Sequence, residues 1–313
     1  MYKQLPTFGR YLKRKFKTRV QKLPVGLSGF TCPNIDGTVA KGGCTFCLNE
    51  SFSPNLAQNA KITLNLNSTT NPLLEQQLKE LDRQIKQTQI AFRKQGVKKF
   101  LIYFQSFTNT YAPFSTLKAL YEKALTYPDV IGLSIGTRSD SVSDEVYDYL
   151  ADLSKTKEVW IEFGVQSIFD ETLKKINRGH DALNAKEAIL KAKAKGLNVC
   201  AHLIFGLPQE SKDMMLQSAK EVYSWGIDSV KYHPLYVVKN TQLASEFKNN
   251  KFTPISKEEY AQTLKEAIKL KPEHITIQRI TAGINDDSLL APDWCGWGKN
   301  KMMDFLNKEL NVV

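Results

Sequence analysis

The sequence has no acidic residue before Asp36, no apolar run near the ~18 residues a membrane-spanning helix needs, and only five cysteines and four histidines in 313 positions. The missing apolar run argues against a helical transmembrane span, and no secretory-leader pattern opens the chain. An odd number of cysteines, three of them crowded together, does not fit a secreted disulfide framework, so the expected home is a reducing cytoplasm. Internal repeats and low-complexity tracts are also missing, as is any linker long enough to divide the chain. What remains, 42% hydrophobic and 24% charged, is the composition of a soluble globular protein long enough to bury a substantial core.

The charge is +11 and unevenly placed. Lys3, Arg10, Lys13, Arg14, Lys15, Lys17, Arg19 and Lys22 alternate with the rings of Tyr2, Phe8, Tyr11 and Phe16. Cations mixed with stacking-capable rings suit a polyanion, RNA especially. An Arg-rich, acid-poor start also matches an organelle transit peptide or a merely solvated face.

The densest chemistry lies in Cys32, Cys44 and Cys47, spaced C-x11-C-x2-C, with Gly37, Gly42 and Gly43 freeing the loop to wrap closely around a group. Three thiolates without a fourth nearby suit an iron–sulfur cluster with one iron left open, whereas structural zinc usually takes four ligands. Zinc stays the rival reading. A polar stretch over 51–72 reads as surface loop, after which Leu74, Leu78, Leu81, Ile85 and Phe92 recur at helical spacing.

From there strands and helices alternate. Strands are expected at Lys99–Tyr103, Val130–Ile135, Val159–Val165, Val199–Phe205, Ser229–Leu235 and Ile275–Ile280, with Ser143, Asp181, Ser211 and Ser256 opening helices between or after them. The pattern predicts an α/β fold, a partial (β/α)6-type TIM-like barrel of parallel strands with a C-terminal extension. Its expected division is a basic segment over 1–24, the barrel over 25–245 with the cysteine loop at 32–47, and the extension over 246–313. Polar groups follow the strands: Gln105 to Thr110, Gly136 to Asp140, Gln166–Ser167, and Asn177-Arg178-Gly179-His180. All would project onto the barrel face that carries the cysteine loop. His202 and His233 in apolar strands read more readily as satisfied interior histidines, Cys200 as a buried small hydrophobe, and Cys295 in its Trp/Gly-rich loop as packing.

The three cysteines, Glu162-Phe163-Gly164-Val165-Gln166-Ser167, Asn177-Arg178-Gly179-His180 and Leu203-Ile204-Phe205-Gly206-Leu207-Pro208 together resemble radical S-adenosylmethionine (SAM) enzymes. Over roughly residues 20 to 245 the order of motifs is similar to the branch of the Elongator catalytic subunit and oxygen-independent coproporphyrinogen oxidase. The long x11 loop is similar to a smaller bacterial subgroup linked to tRNA wobble-uridine modification. The resemblance implies that Cys32, Cys44 and Cys47 hold a 4Fe–4S cluster whose open iron binds S-adenosylmethionine, and that one electron cleaves the sulfonium to a 5′-deoxyadenosyl radical. It also implies Gln166 on the ribose, Arg178 on the methionine carboxylate, and Thr137 and Arg138 facing the cofactor. Ser106, Thr108 and Asn109 take the slot of the segment that binds the amino group, and His202 stands where the porphyrinogen enzyme has an Asp. The family's Gly-Gly-Glu type motif is absent, Gly136 replaces a carboxylate and Ser139 a Pro.

The reading that follows is a radical SAM enzyme acting on tRNA at a C5 substituent of a wobble uridine, with an electron donor such as flavodoxin or ferredoxin. The same chemistry on a small molecule or porphyrin-like compound is one alternative. A non-enzymatic zinc-dependent RNA-binding protein is the other.

Overall fold

The computed structural model describes residues 5–48, 62–281, 283–284 and 286–310. Tyr2, Lys3 and the first part of the expected 51–72 loop lie outside the described residues. A single sheet of seven parallel strands organises the chain, in the spatial order β1-β2-β3-β4-β5-β6-β8. These are β1 Val20–Val25, β2 Lys99–Phe104, β3 Val130–Thr137, β4 Glu158–Gln166, β5 Asn198–Phe205, β6 Ser229–Pro234 and β8 Thr276–Arg279. A two-stranded antiparallel ribbon, β7 Val237–Val238 with β9 Leu289–Ala291, lies beyond the sheet.

Helices α2 Leu74–Arg93, α3 Phe114–Leu125, α4 Asp144–Ser154, α6 Ala182–Ala194, α7 Lys212–Ser224 and α9 Lys257–Leu270 follow the strands. Ser143, Asp181, Ser211 and Ser256 cap four of them through side-chain oxygens that accept from the backbone N–H three residues on. On β4, Val159, Ile161, Phe163 and Val165 face these helices and join the main core, while Trp160, Glu162 and Gly164 point the other way. The result is a half-barrel with an apolar convex face and a concave interior that must be filled.

The lower part of that interior is filled by α1 Phe8–Phe16. Phe8 meets Trp160 edge-on at 4.8 Å between ring centroids, Leu12 is buried beside it, and Lys15 and Tyr11 reach Glu158 at 2.6 and 3.2 Å. This corrects one expectation about the basic segment: the rings of Phe8, Tyr11 and Phe16 pack against the barrel interior rather than stand ready for bases. Arg10, Lys13, Arg14, Lys17 and Arg19 remain exposed on the outer side. The segment before α1 also pairs with β8, where Ile277 N–H donates to the Pro6 carbonyl at 2.9 Å. The expected boundary at residue 24 therefore falls within β1, and the expected extension supplies β8 to the sheet.

Short helices α5 Asp170–Lys175 and α8 Gln242–Lys248 and a terminal helix α10 Lys299–Glu309 complete the fold. Cys295 lies fully buried with Trp294 in the main core, as packing, and burial pushes its thiol up to about 12. Among the described residues no helix is long and apolar enough to cross a membrane.

Replacing Trp160 by Ala removes the ring on which α1 rests and should cost about 3–5 kcal/mol of stability. Leu190→Ala, on the exposed face of α6, should stay within about 0.5 kcal/mol. Urea unfolding of the cluster-free chain measures both.

Candidate active site

Above the α1 plug, one buried carboxylate collects side chains from every strand of the sheet. Glu162 of β4 is fully buried. Its Oε1 accepts from Lys22 Nζ of β1 and Ser134 Oγ of β3, and its Oε2 accepts from Lys231 Nζ of β6 and, at 2.8 Å, from His202 Nε2 of β5. Lys231 also donates to the Tyr103 hydroxyl of β2 at 2.9 Å, and Lys22 to Gln278 Oε1 of β8 at 2.6 Å. Both ammonium groups lie against the Tyr103 ring, 4.3 and 4.4 Å from its centroid.

Burial alone would raise the Glu162 carboxyl, but Lys22, Lys231 and the His202 bond hold it well below the usual carboxylate range. Burial, with Lys231 and Lys22 nearby, pulls His202 down to about 4, so the ring is neutral at pH 7. Burial likewise lowers both lysines, against the pull of Glu162. Glu162, Cys200 and His202 bring ligand atoms within 4.8 Å of one another. A metal cation there would face two ammonium groups already bonded to the carboxylate, so the trio is a hydrogen-bonded core and not a metal site.

The upper rim forms where β4 ends. The register slips between Gly164 and Gln166, and Gln166 adopts φ +71°, a left-handed conformation rare for a non-glycine residue and common at functional sites. Arg178, 6% exposed, reaches back to donate from Nη2 to the Gly164 carbonyl at 2.6 Å, and its Nε has no protein partner. A Cβ on Gly164 would lie 2.7 Å from Gln166 Nε2 and 2.9 Å from Arg178 Nη2, so a larger residue here would displace the ends of both side chains.

The cysteine loop lies across this rim and is laced to it. Asn177 Nδ2 donates to the carbonyls of Gly43 and Lys41 at 2.7 and 2.9 Å, Asn34 Nδ2 donates to the Arg178 carbonyl at 2.8 Å, and Thr45 N–H donates to the Ile176 carbonyl at 3.0 Å. On the other side Thr108 N–H donates to the Thr31 carbonyl at 3.2 Å and the Tyr111 hydroxyl to Thr38 at 2.8 Å. Phe46, between the second and third cysteines, packs on the apolar cluster of Ile176, Leu207, Leu235 and Leu243. Cys44 is buried, Cys32 and Cys47 are half-buried, and none of the three is in a disulfide. Arg178 Nη1 stands 3.8 Å from Cys44 Sγ.

Residues 37–222 match the Radical SAM superfamily, and residues 227–311 match the Radical_SAM C-terminal domain. The chain belongs to the radical SAM superfamily. It is 36% identical to "Protein YhcC" of Escherichia coli K12, over 94% of this chain and 89% of that protein. It is 32% identical to the "tRNA uridine(34) acetyltransferase" of Methanocaldococcus infernus, over 49% of this chain but only 29% of that protein. The fold is similar to the archaeal Elp3 of the same organism, solved with an N-terminal deletion, at TM-score 0.57 and 20% identity, covering 93% of this chain and 63% of that one. Radical SAM enzymes use a 4Fe–4S cluster and S-adenosylmethionine, and membership replaces the reading of a non-enzymatic zinc protein.

The donor set fits those groups: three thiols on one anchored loop, with two buried guanidinium nitrogens, Arg178 Nε and Arg138 Nη1, lacking a protein partner. Among the residues singled out by resemblance, Gln166 and Arg178 lie at this rim, Cys44 stands against Arg178, and Cys32 and Cys47 lie on the same anchored loop. Ser106, Thr108 and Asn109 are buried beside it, but Asn109 Nδ2 is committed to the Gly136 carbonyl at 3.0 Å. Thr137 Oγ1 pairs with Thr110 Oγ1 at 2.6 Å, and Arg138 forms a two-point ion pair with Asp140. His202 lies lower, on Glu162. The sequence reading did not single out Lys22, Tyr103, Glu162, Lys231 or Asn34 as site residues. A charged residue inside an apolar strand, as at Glu162 and Lys231, was the signal available.

Two outcomes follow. Glu162→Gln leaves two lysines without their buried anion and should cost about 3–5 kcal/mol, read by urea denaturation. His202 is neutral when folded down to about pH 4 but charges near 6.5 when unfolded. Its contribution is therefore complete above about pH 6.5 and is lost toward pH 4, at about 1.4 kcal/mol per pH unit. His202→Asn should remove that slope from unfolding free energies measured at pH 7, 6 and 5.

Proposed function

We propose that this radical SAM enzyme modifies tRNA at a C5 substituent of the wobble uridine, with Cys32, Cys44 and Cys47 holding the cluster. The observation that carries the site is the cysteine loop laced by Asn34 and Asn177 onto the Gln166–Arg178 corner. Support for RNA comes from the half-chain similarity to a protein named for tRNA uridine(34) and from the exposed cations along α1. When bound, the cluster and SAM supply one-electron cleavage of a sulfonium and a hydrogen-abstracting radical.

The protein's residues do the positioning. Arg178 offers a planar fork, including its unpartnered Nε, to the methionine carboxylate. Gln166, whose backbone is left-handed at the end of β4, would contact the ribose. The walls formed by Ser106, Thr108, Thr137 and Arg138 enclose the remainder, and Asn109 holds the β2 and β3 loops together. The polar interior around Glu162, His202 and Lys231 would form the floor beneath the substrate. A small carrier such as flavodoxin or ferredoxin would supply the electron in the cytoplasm. The chain matches only 29% of that acetyltransferase, and the step proposed for it is the radical reaction on the base, alone or with a partner.

Anaerobic reconstitution with iron and sulfide should give a brown protein that releases 5′-deoxyadenosine with reductant and SAM, while Cys44→Ala does neither. A colourless wild type that leaves SAM intact refutes the assignment. Gly164→Ala, crowding Gln166 and Arg178, should weaken SAM binding on the order of tenfold, about 1.4 kcal/mol, by equilibrium dialysis of the reconstituted protein. Mass spectrometry of tRNA from a deletion strain tests the substrate: unchanged wobble uridines point to a small-molecule substrate instead.

A further inference from the structure

Asn34 stands inside the x11 loop, two residues beyond Cys32, and is fully buried although it carries a polar amide. Its orientation is settled by what surrounds it. Nδ2 faces the carbonyls of Asn177 and Arg178, at 2.5 and 2.8 Å, and the flipped amide would set oxygen against both. The same Nδ2 stands 3.7 Å from Cys44 Sγ, within reach of an N–H···S hydrogen bond. On the other side Oδ1 occupies the room that Gly179 leaves: a Cβ there would lie 2.3 Å from it. Gly179 itself holds φ +80°, which suits glycine. The Asn34 carbonyl accepts from Gly43 N–H at 2.8 Å, so the backbone next to Cys44 is fixed by the same residue.

We infer that Asn34 is a positioning residue that holds the Cys44 thiolate by an N–H···S bond and raises the reduction potential of the cluster. The inference rests on the reading of Cys44 as a cluster ligand. An N–H donor to a ligating sulfur favours the more negative, reduced cluster, and hydrogen bonds to the sulfurs are among the levers that set such potentials. Two amide hydrogens serve three acceptors here, and a charged thiolate competes for them better than a neutral thiol does. Burial strengthens the bond by excluding water, since Cys44 is only 8% exposed. The same amide ties the loop to residues 177 and 178, so it couples the position of one cluster ligand to the position of Arg178.

The test uses the reconstituted holoenzyme. Asn34→Asp keeps the shape and removes the N–H, and Asn34→Ala removes the whole amide. Potentiometric titration followed by electron paramagnetic resonance should show both variants with full iron content and the one-electron equilibrium shifted on the order of tenfold toward the oxidised cluster, about 59 mV more negative. Variants that load iron fully and keep the wild-type potential overturn the inference. A second readout needs no variant to fold. In wild type carrying 15N only in asparagine side-chain amides, pulsed resonance of the reduced cluster should detect a weakly coupled 15N, and its absence overturns the inference. A wild type that binds no 4Fe–4S cluster overturns the cysteine assignment and this inference with it, whereas a normal cluster without the coupling removes this inference alone.

Discussion

One buried carboxylate organises the interior. Glu162 is held by Lys22, Ser134, His202 and Lys231, and through the two lysines it reaches Tyr103 and Gln278, so each of the seven strands contributes a side chain to the group. Placing an unpaired carboxylate there would cost several kcal/mol; two ammonium groups offset that cost and fix the geometry. Lys22 on β1 and Gln278 on β8 come from the two edges of the sheet, so their bond at 2.6 Å spans the open side of the half-barrel. The carboxylate thus sets barrel curvature as well as local charge.

Layers stack along the barrel axis from that point. Below Glu162, the rings of Phe8, Tyr11 and Trp160 fill the space that a half-barrel would otherwise leave to water. Above it, the bulge at Gly164–Gln166 turns side chains inward, and the cysteine loop is bound to that rim by side-chain amides rather than by strands. Hydrogen bonds to backbone carbonyls suit a loop that carries three reactive thiols, since they fix it while leaving the sulfurs unbridged. The polar floor, the cysteine loop and the guanidinium groups are therefore brought together by one curvature.

Much of this was legible in the residues. Capping serines at 143, 211 and 256, Asp181 and apolar strands ending in polar loops specify helices and parallel strands through local chemistry, and six of the strands follow from it. The strand β1 was not legible. Val20 to Val25 reads VQKLPV, in which Lys22 points into the barrel and Pro24 sits on an edge strand, so the apolar alternation is broken. The α1 rings misled for a related reason: aromatic residues between cations look the same whether they meet bases or a tryptophan inside a barrel.

By itself the sequence determined the alternation, the cysteine spacing and the motif order that marks the family, because each depends on residues close together along the chain. Only the tertiary structure decided that Glu162 meets Lys22 and Lys231, 140 and 69 residues away, that α1 closes the barrel floor, and that Asn34 and Asn177 fasten the cysteine loop to Arg178. Those pairings are set by sheet curvature and register, which bring together side chains whose separation along the chain carries no signal of contact.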